Sequence, residues 1–110
     1  MLQSSDTKEI TPDRRRVYDL EDRTLLFFQK TIRLCKKLPQ DHDIVARVII
    51  RQMIRSAGSV GANYREANEA ISRKDFKHRV KICRKEAKET HFWFQGLIET
   101  CPLFKSLFRI

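Results

Sequence analysis

QMIRSAGSVGANYREANEAISRKDFKHRVKICRKEAKETHFW, residues 52–93, carries a helical stretch thinned by small residues through a serine cap into a second helix that is basic along one face. Ala57, Gly58, Ser59, Gly61 and Ala62 thin the first helix. Each interior glycine costs roughly 1 kcal/mol relative to alanine. That cost predicts close approach of a neighbouring backbone, or of a partner, at this place. Ser72 is placed to cap the next helix, with Asp75 three residues on, near the positive end of the helix dipole. From Arg73 to about Thr100, the residues Phe76, Val80, Cys83, Ala87, Thr90, Phe94 and Leu97 follow a four-three alternation, the pattern of a bundle seam.

Working towards the N-terminus, Ile44, Val45, Val48, Ile49, Met53 and Ile54 extend the small-residue helix back to about Asp43 and forward to Ile71. This is bundle length, and its apolar face is wide enough for more than one neighbour. Asp41 or Asp43 can cap it. An earlier helix is read from Leu20, Thr24, Phe27, Phe28, Thr31, Ile32, Cys35 and Leu38, which recur at three- and four-residue steps from Tyr18. Pro39 ends it, because the residue before a proline is pushed out of the α region. Residues 1–17 are polar and aperiodic and read as a mobile N-terminal arm, with Arg14, Arg15 and Arg16 as solvated cations or polyanion contacts. Beyond Cys101, Pro102 opens another element. Leu103, Phe104, Leu107, Phe108 and Ile110 give it an apolar helical pattern. It stops without a cap, which points to a shortened last helix or to dependence on another subunit. The expectation is an all-α, antiparallel up-down four-helix bundle over residues 18–110 with a short or truncated fourth helix.

Composition agrees with a single helical domain: 41% hydrophobic and 34% charged residues, with only three glycines and three prolines among 110. The formal charge of +9, from 23 Lys and Arg against 14 Asp and Glu, makes polyanions the first partners to consider. Cys35, Cys83 and Cys101 are odd in number and set in helical patterns, so small core residues in a reducing compartment are expected rather than disulfides. No apolar run approaches a membrane span, and the charged N-terminus does not resemble a signal peptide. A cytoplasmic protein is expected, with no membrane partner.

Between Arg73 and Lys88 there are eight Lys and Arg against two acids, Asp75 and Glu86. Lys74, Lys77, Lys81, Lys85 and Lys88 share one helix face, with Arg73 and Arg84 at its border and the seam on the other side. These seven are the candidate nucleic-acid contacts, to phosphates rather than to base edges. A solvated lysine-rich face is the plain alternative. Arg47, Arg51, Arg55 and Arg65 add charge on the preceding helix. Aromatic residues are not interleaved with the basic ones, so stacking on bases is not expected. Catalytic constellations are absent: His42, His78 and His91 lack metal-ligand spacing, Ser56 and Ser59 lack a base, and Gly58 and Gly61 sit inside a helix rather than in a phosphate loop. Neither an enzyme nor a cofactor or metal is expected. Asn63 and Glu66, beside the small residues, form an interhelical hydrogen-bond network or part of a ligand site.

Gln52-Met53-Ile54-Arg55-Ser56-Ala57-Gly58-Ser59-Val60-Gly61-Ala62-Asn63-Tyr64-Arg65-Glu66-Ala67, then Ser72-Arg73-Lys74-Asp75-Phe76 and Lys85-Glu86-Ala87-Lys88-Glu89-Thr90, resemble the four-helix-bundle proteins encoded in 23S ribosomal RNA intervening sequences. That family includes the accessory variability determinant of diversity-generating retroelements. The resemblance implies an antiparallel four-helix bundle assembled as a ring-like homopentamer. In the retroelement branch it implies nucleic-acid binding through a basic surface and engagement of a reverse transcriptase. This chain departs from the family pattern in having only Pro102 to Ile110 for a fourth helix. The expected function is a non-enzymatic, oligomeric bundle that binds RNA or DNA backbone. The alternative is an adaptor that docks an acidic protein without nucleic acid.

Overall fold

A computed structural model of the chain describes residues 19–38 and 43–100, which form three helices: α1 (Leu20–Lys36), α2 (Ile44–Asn68) and α3 (Arg73–Thr100). Each begins at a side chain suited to hold it. Asp19 Oδ1 accepts from the Asp22 N–H at 3.3 Å. Asp43 Oδ1 accepts from Val45 and Ala46 at 3.0 and 3.2 Å, so Asp43 is the cap of α2. Ser72 Oγ accepts from the Asp75 N–H at 3.0 Å, as its position before the basic helix predicts.

Neither α1 nor α2 ends on a glycine. Both tighten into i→i−3 bonds instead: Leu38 N–H to Cys35 O at 3.2 Å in one, and Ala70 N–H to Ala67 O at 3.0 Å in the other. This makes α2 shorter than the sequence pattern, which ran to Ile71. Ser72 must leave helical geometry to cap α3, so the chain unwinds before it, and Ile71 is left 97% exposed in the link. Helix α1 likewise starts two residues after Tyr18, where Asp19 supplies the cap.

Helix α2 is the centre, packing against both α1 and α3. Both pairings are antiparallel. Thr24 lies over Gly61 and Phe28 over Gly58, while Ile49 meets Gly96, Ser56 meets Thr90 and Asn63 meets Arg79. The apolar core sits where α1 ends, α2 begins and α3 ends: Cys35, Ala46, Ile50, Met53, Leu97 and Ile98 are buried, with Leu34, Ile49, Ile54, Trp93 and Phe94 against them. Toward the other end the buried side chains become small, namely Ser56, Ala57, Val60, Ala67 and Cys83. The wide apolar start of α2 is only partly covered: Ala46 and Ile50 are buried, while Ile44, Val45 and Val48 are exposed. The expected N-terminal arm and the fourth helical element after Cys101 lie outside the described residues. Among those residues, no helix is long and apolar enough to cross a membrane.

The close approach anticipated at the small residues is made by α1. A Cβ added at Gly61 would lie 3.2 Å from Thr24 Oγ1 and 3.7 Å from the Thr24 backbone carbon, and one at Gly58 would lie 3.2 Å from the Phe28 ring. At Gly96 the nearest atom would be Ile49 Cδ1, at an ordinary 3.7 Å. The three glycines therefore separate by experiment. Gly61→Leu should lower unfolding free energy by about 1–3 kcal/mol, because Thr24 and the α1 backbone must move away. Gly96→Ala should raise it by about 0.5–1 kcal/mol, through helix propensity alone. Urea denaturation of both variants against the parent reads the two signs.

Candidate nucleic-acid interface

The Ser72 cap sets the rotational phase of α3, and the seam then fixes which way each face turns. Cys83, Glu86, Thr90, Leu97 and Ile98 are buried along α3, Val80, Ala87 and Phe94 are half-buried, and Phe76 at the open end is more exposed. Arg73, Lys74, Lys77, Lys81, Arg84, Lys85 and Lys88 are all exposed. At 100° per residue the five lysines centre roughly 150° from the seam. One helix therefore gathers all seven predicted contacts on its outer side, and no interhelical contact is needed to bring them together. Lysine suits diffuse phosphate contact, being a compact charge on a flexible stem.

The seam side of α3 has its own electrostatics. Ser56 Oγ and Thr90 Oγ1 lie 2.7 Å apart in full burial, each also within reach of a carbonyl of its own helix, Met53 O at 3.1 Å and Glu86 O at 2.9 Å. Two hydroxyl protons serve three contacts, so one is shared between the helices and the other goes to a backbone oxygen. One turn away, the Arg55 guanidinium reaches Glu86 at 3.6 Å and donates to Glu89, which also accepts from the Trp93 indole N–H at 3.2 Å. Arg55 thus does not add to the basic surface as its sequence position suggested; its charge is spent on two acids of α3. The Glu86 carboxylate faces α2, with Oε1 lacking any hydrogen bond beyond the Arg55 ion pair.

Asn63 does bridge helices, donating to Ser59 O at 2.9 Å and accepting from Arg79 Nη1 of α3 at 3.4 Å. Glu66, expected beside it, is exposed and takes no part in that bridge. The small residues Gly58, Gly61 and Ala62 instead floor a groove against Thr24, Leu25 and Phe28, flanked by Glu21 and Arg65. Burial pushes the Cys35 thiol up to about 11 and raises Cys83 as well, so both are inert core thiols rather than nucleophiles. Both are free and buried; Cys101 lies outside the described residues. His78 and His91 are exposed, and His42 lies outside the described residues.

One aromatic side chain does accompany the basic row. Phe92 is 65% exposed and stands four residues beyond Lys88 on the same face of α3. Its ring meets Trp93 edge-on, with centroids 5.3 Å apart and planes at 74°. A basic stretch closed at Lys88 excludes it, and only the helical continuation places it in line.

Residues 18–106 match the model of a family described as 23S rRNA-intervening sequence protein. Among solved structures, the chain is similar to a protein of unknown function from the S23 ribosomal protein family of Bacteroides thetaiotaomicron VPI-5482, with 39% identity, a TM-score of 0.63, and coverage of 73% of this chain and 72% of that one. None of the curated proteins matches the chain.

The Arg55 cluster gives the interhelical contact a pH signature. The Trp93 hydrogen bond first, together with the charge and hydrogen bond of Arg55 and the charge of Lys85, holds the Glu89 carboxyl below its ordinary 4.5, while desolvation, second in size, opposes them. The unfolded chain therefore binds this proton more readily. The resulting stabilisation is fully present above pH 4.5 and is lost as pH falls through the depressed folded value. Glu89→Gln should flatten that acid limb in urea midpoints measured against pH. Arg55→Ala should cost about 1–2 kcal/mol at neutral pH, below the usual figure for a broken buried pair because the guanidinium is half in water.

Proposed function

Because the chain belongs to the 23S rRNA-intervening sequence protein family, we propose that it is a non-enzymatic helical-bundle protein that holds structured RNA through the outer face of α3. The observation that carries this reading is the segregation of charge on that helix. Seven cations are exposed on one side, while the acids Glu86 and Glu89 turn toward α2 and are answered there by Arg55. A face arranged in this way attracts phosphates along about four helical turns without a built pocket. Recognition is of backbone charge and shape, since the row carries no fork of side chains suited to base edges.

The protein acts as an oligomer in this reading, a ring-like pentamer in keeping with the resemblance above. Ile44, Val45 and Val48 form an exposed apolar patch on α2 among the described residues, which supports association. Repeating the lysine face around a ring raises affinity for a long polyanion by effective concentration. Sedimentation equilibrium should return a mass above that of one chain at micromolar concentration; a monomer there removes the oligomeric part of the reading.

The binding part is tested by salt. The triple variant Lys77→Gln, Lys81→Gln, Lys85→Gln should bind duplex DNA and folded RNA more weakly. On duplex DNA the slope of log affinity against log salt should flatten by roughly 0.9 unit for each lost contact. Circular dichroism on the same variant checks that α3 is intact. An unchanged slope and affinity would reject the face as a polyanion site. Capture of one acidic protein that heparin cannot displace would favour the adaptor reading.

A further inference from the structure

We infer that Phe92 is a base-stacking platform at the end of the lysine row, so that the nucleic acid preferred by this face has unpaired bases next to the phosphates it presents. The inference rests on the reading of the row as a phosphate track and specifies its ligand.

A lone exposed phenyl is ordinary on a protein surface. This one has three properties that a scattered side chain does not combine. It is in register: Lys77, Lys81, Lys85, Lys88 and Phe92 follow at steps of four, four, three and four residues, each an advance of roughly 4.5–6 Å along one face. Lys74 lies below it by eighteen residues, about five whole turns, so Phe92 sits almost directly over the start of the row at a distance of ~27 Å. It is open, with 65% of its surface in water, whereas Trp93 and Phe94 beside it are drawn into the core. It is also braced. Trp93 meets the Phe92 ring edge-on, and Trp93 is itself fixed by its indole N–H to Glu89 Oε2 at 3.2 Å, with Glu89 held by Arg55. The Phe92 ring is thereby held against a fixed neighbour while most of its surface stays in water.

Single-stranded nucleic acid is bound by this pairing of features: cations that follow the backbone, and an aromatic face on which a base stacks without regard to its identity. A duplex can use the lysines but has no free base face to offer, because its bases are already stacked. Phe92 thus discriminates between strand states, whereas the lysines do not.

The test compares an oligoadenylate strand with an RNA duplex of equal length, at one salt concentration, on the full chain and on Phe92→Ala and Phe92→Trp. Phe92→Ala should weaken binding of the single strand by roughly tenfold and leave the duplex and the salt slope unchanged, and Phe92→Trp should restore it. Trp93, the one tryptophan in the chain, gives a second readout in the parent protein: its emission should shift on adding the strand and stay constant on adding the duplex. Sedimentation of Phe92→Ala should match the parent. Equal loss on strand and duplex, or loss accompanied by a change in oligomer size, would overturn the inference by making Phe92 a structural or interface residue. So would a single-strand affinity that Phe92→Ala does not alter. If the parent binds neither probe, the lysine row itself fails; if it binds both and Phe92→Ala changes nothing, only the stacking platform does.

Discussion

The structure depends on how closely a second helix can lie on the middle of α2. Gly58 and Gly61 remove the side chains that would hold α1 away, and Thr24 and Phe28 fill the space left. Ala57 and Ser56, both fully buried, do the same toward the interior and toward α3. A helix with two glycines in its interior is intrinsically weak, so packing on both flanks must make up for it. α2 therefore serves as a shared wall, and each neighbour turns only one side of itself inward. Among the described residues, no helix packs on the outer side of α3 in that arrangement.

Burial of polar groups at the α2 and α3 contact sets the register that close packing alone would leave loose. Small residues pack acceptably at several offsets, but Ser56 Oγ finds Thr90 Oγ1 at only one of them. At another offset each hydroxyl would keep only the carbonyl of its own helix, and the interhelical bond, worth about 0.5–1.5 kcal/mol net, would be lost. Arg55 between Glu86 and Glu89 reinforces the same offset with charge. These contacts select one alignment over its neighbours more than they add stability, since desolvating the groups offsets much of what their pairing returns.

Much of this was legible in the sequence because it is local. Ser72 before Arg73-Lys74-Asp75 declares a cap within four residues, and the seam from Phe76 to Leu97 declares a face through its spacing alone. The lysine row is legible for the same reason: one helix and its pitch decide it. Arg55 was not legible, because its charge is cancelled by acids 31 and 34 residues away in sequence, and only the α2 and α3 register reveals that they meet. Glu66 shows the converse: three residues from Asn63 it shares that helix face approximately, but the bridge to Arg79 is made by Asn63 without it. Ile71 shows a third limit, as hydrophobicity continued the α2 pattern past the point where the next helix needed its cap.

The two faces of α3 are coupled through these buried contacts. Helix pitch already places Glu86 on the seam side, whereas Glu89, four residues beyond Lys85, stands beside the row and could neutralise it. Arg55 answers both acids from α2, and of the row only Lys85 contributes to the environment of Glu89. The same Glu89 fixes the indole of Trp93, which braces Phe92 at the end of the row. One arginine on α2 thus answers both acids, supports the aromatic brace through Glu89 and, indirectly, shapes the field of a face it does not itself occupy. A basic surface of this kind is the product of where its acids are sent as much as of where its cations are placed.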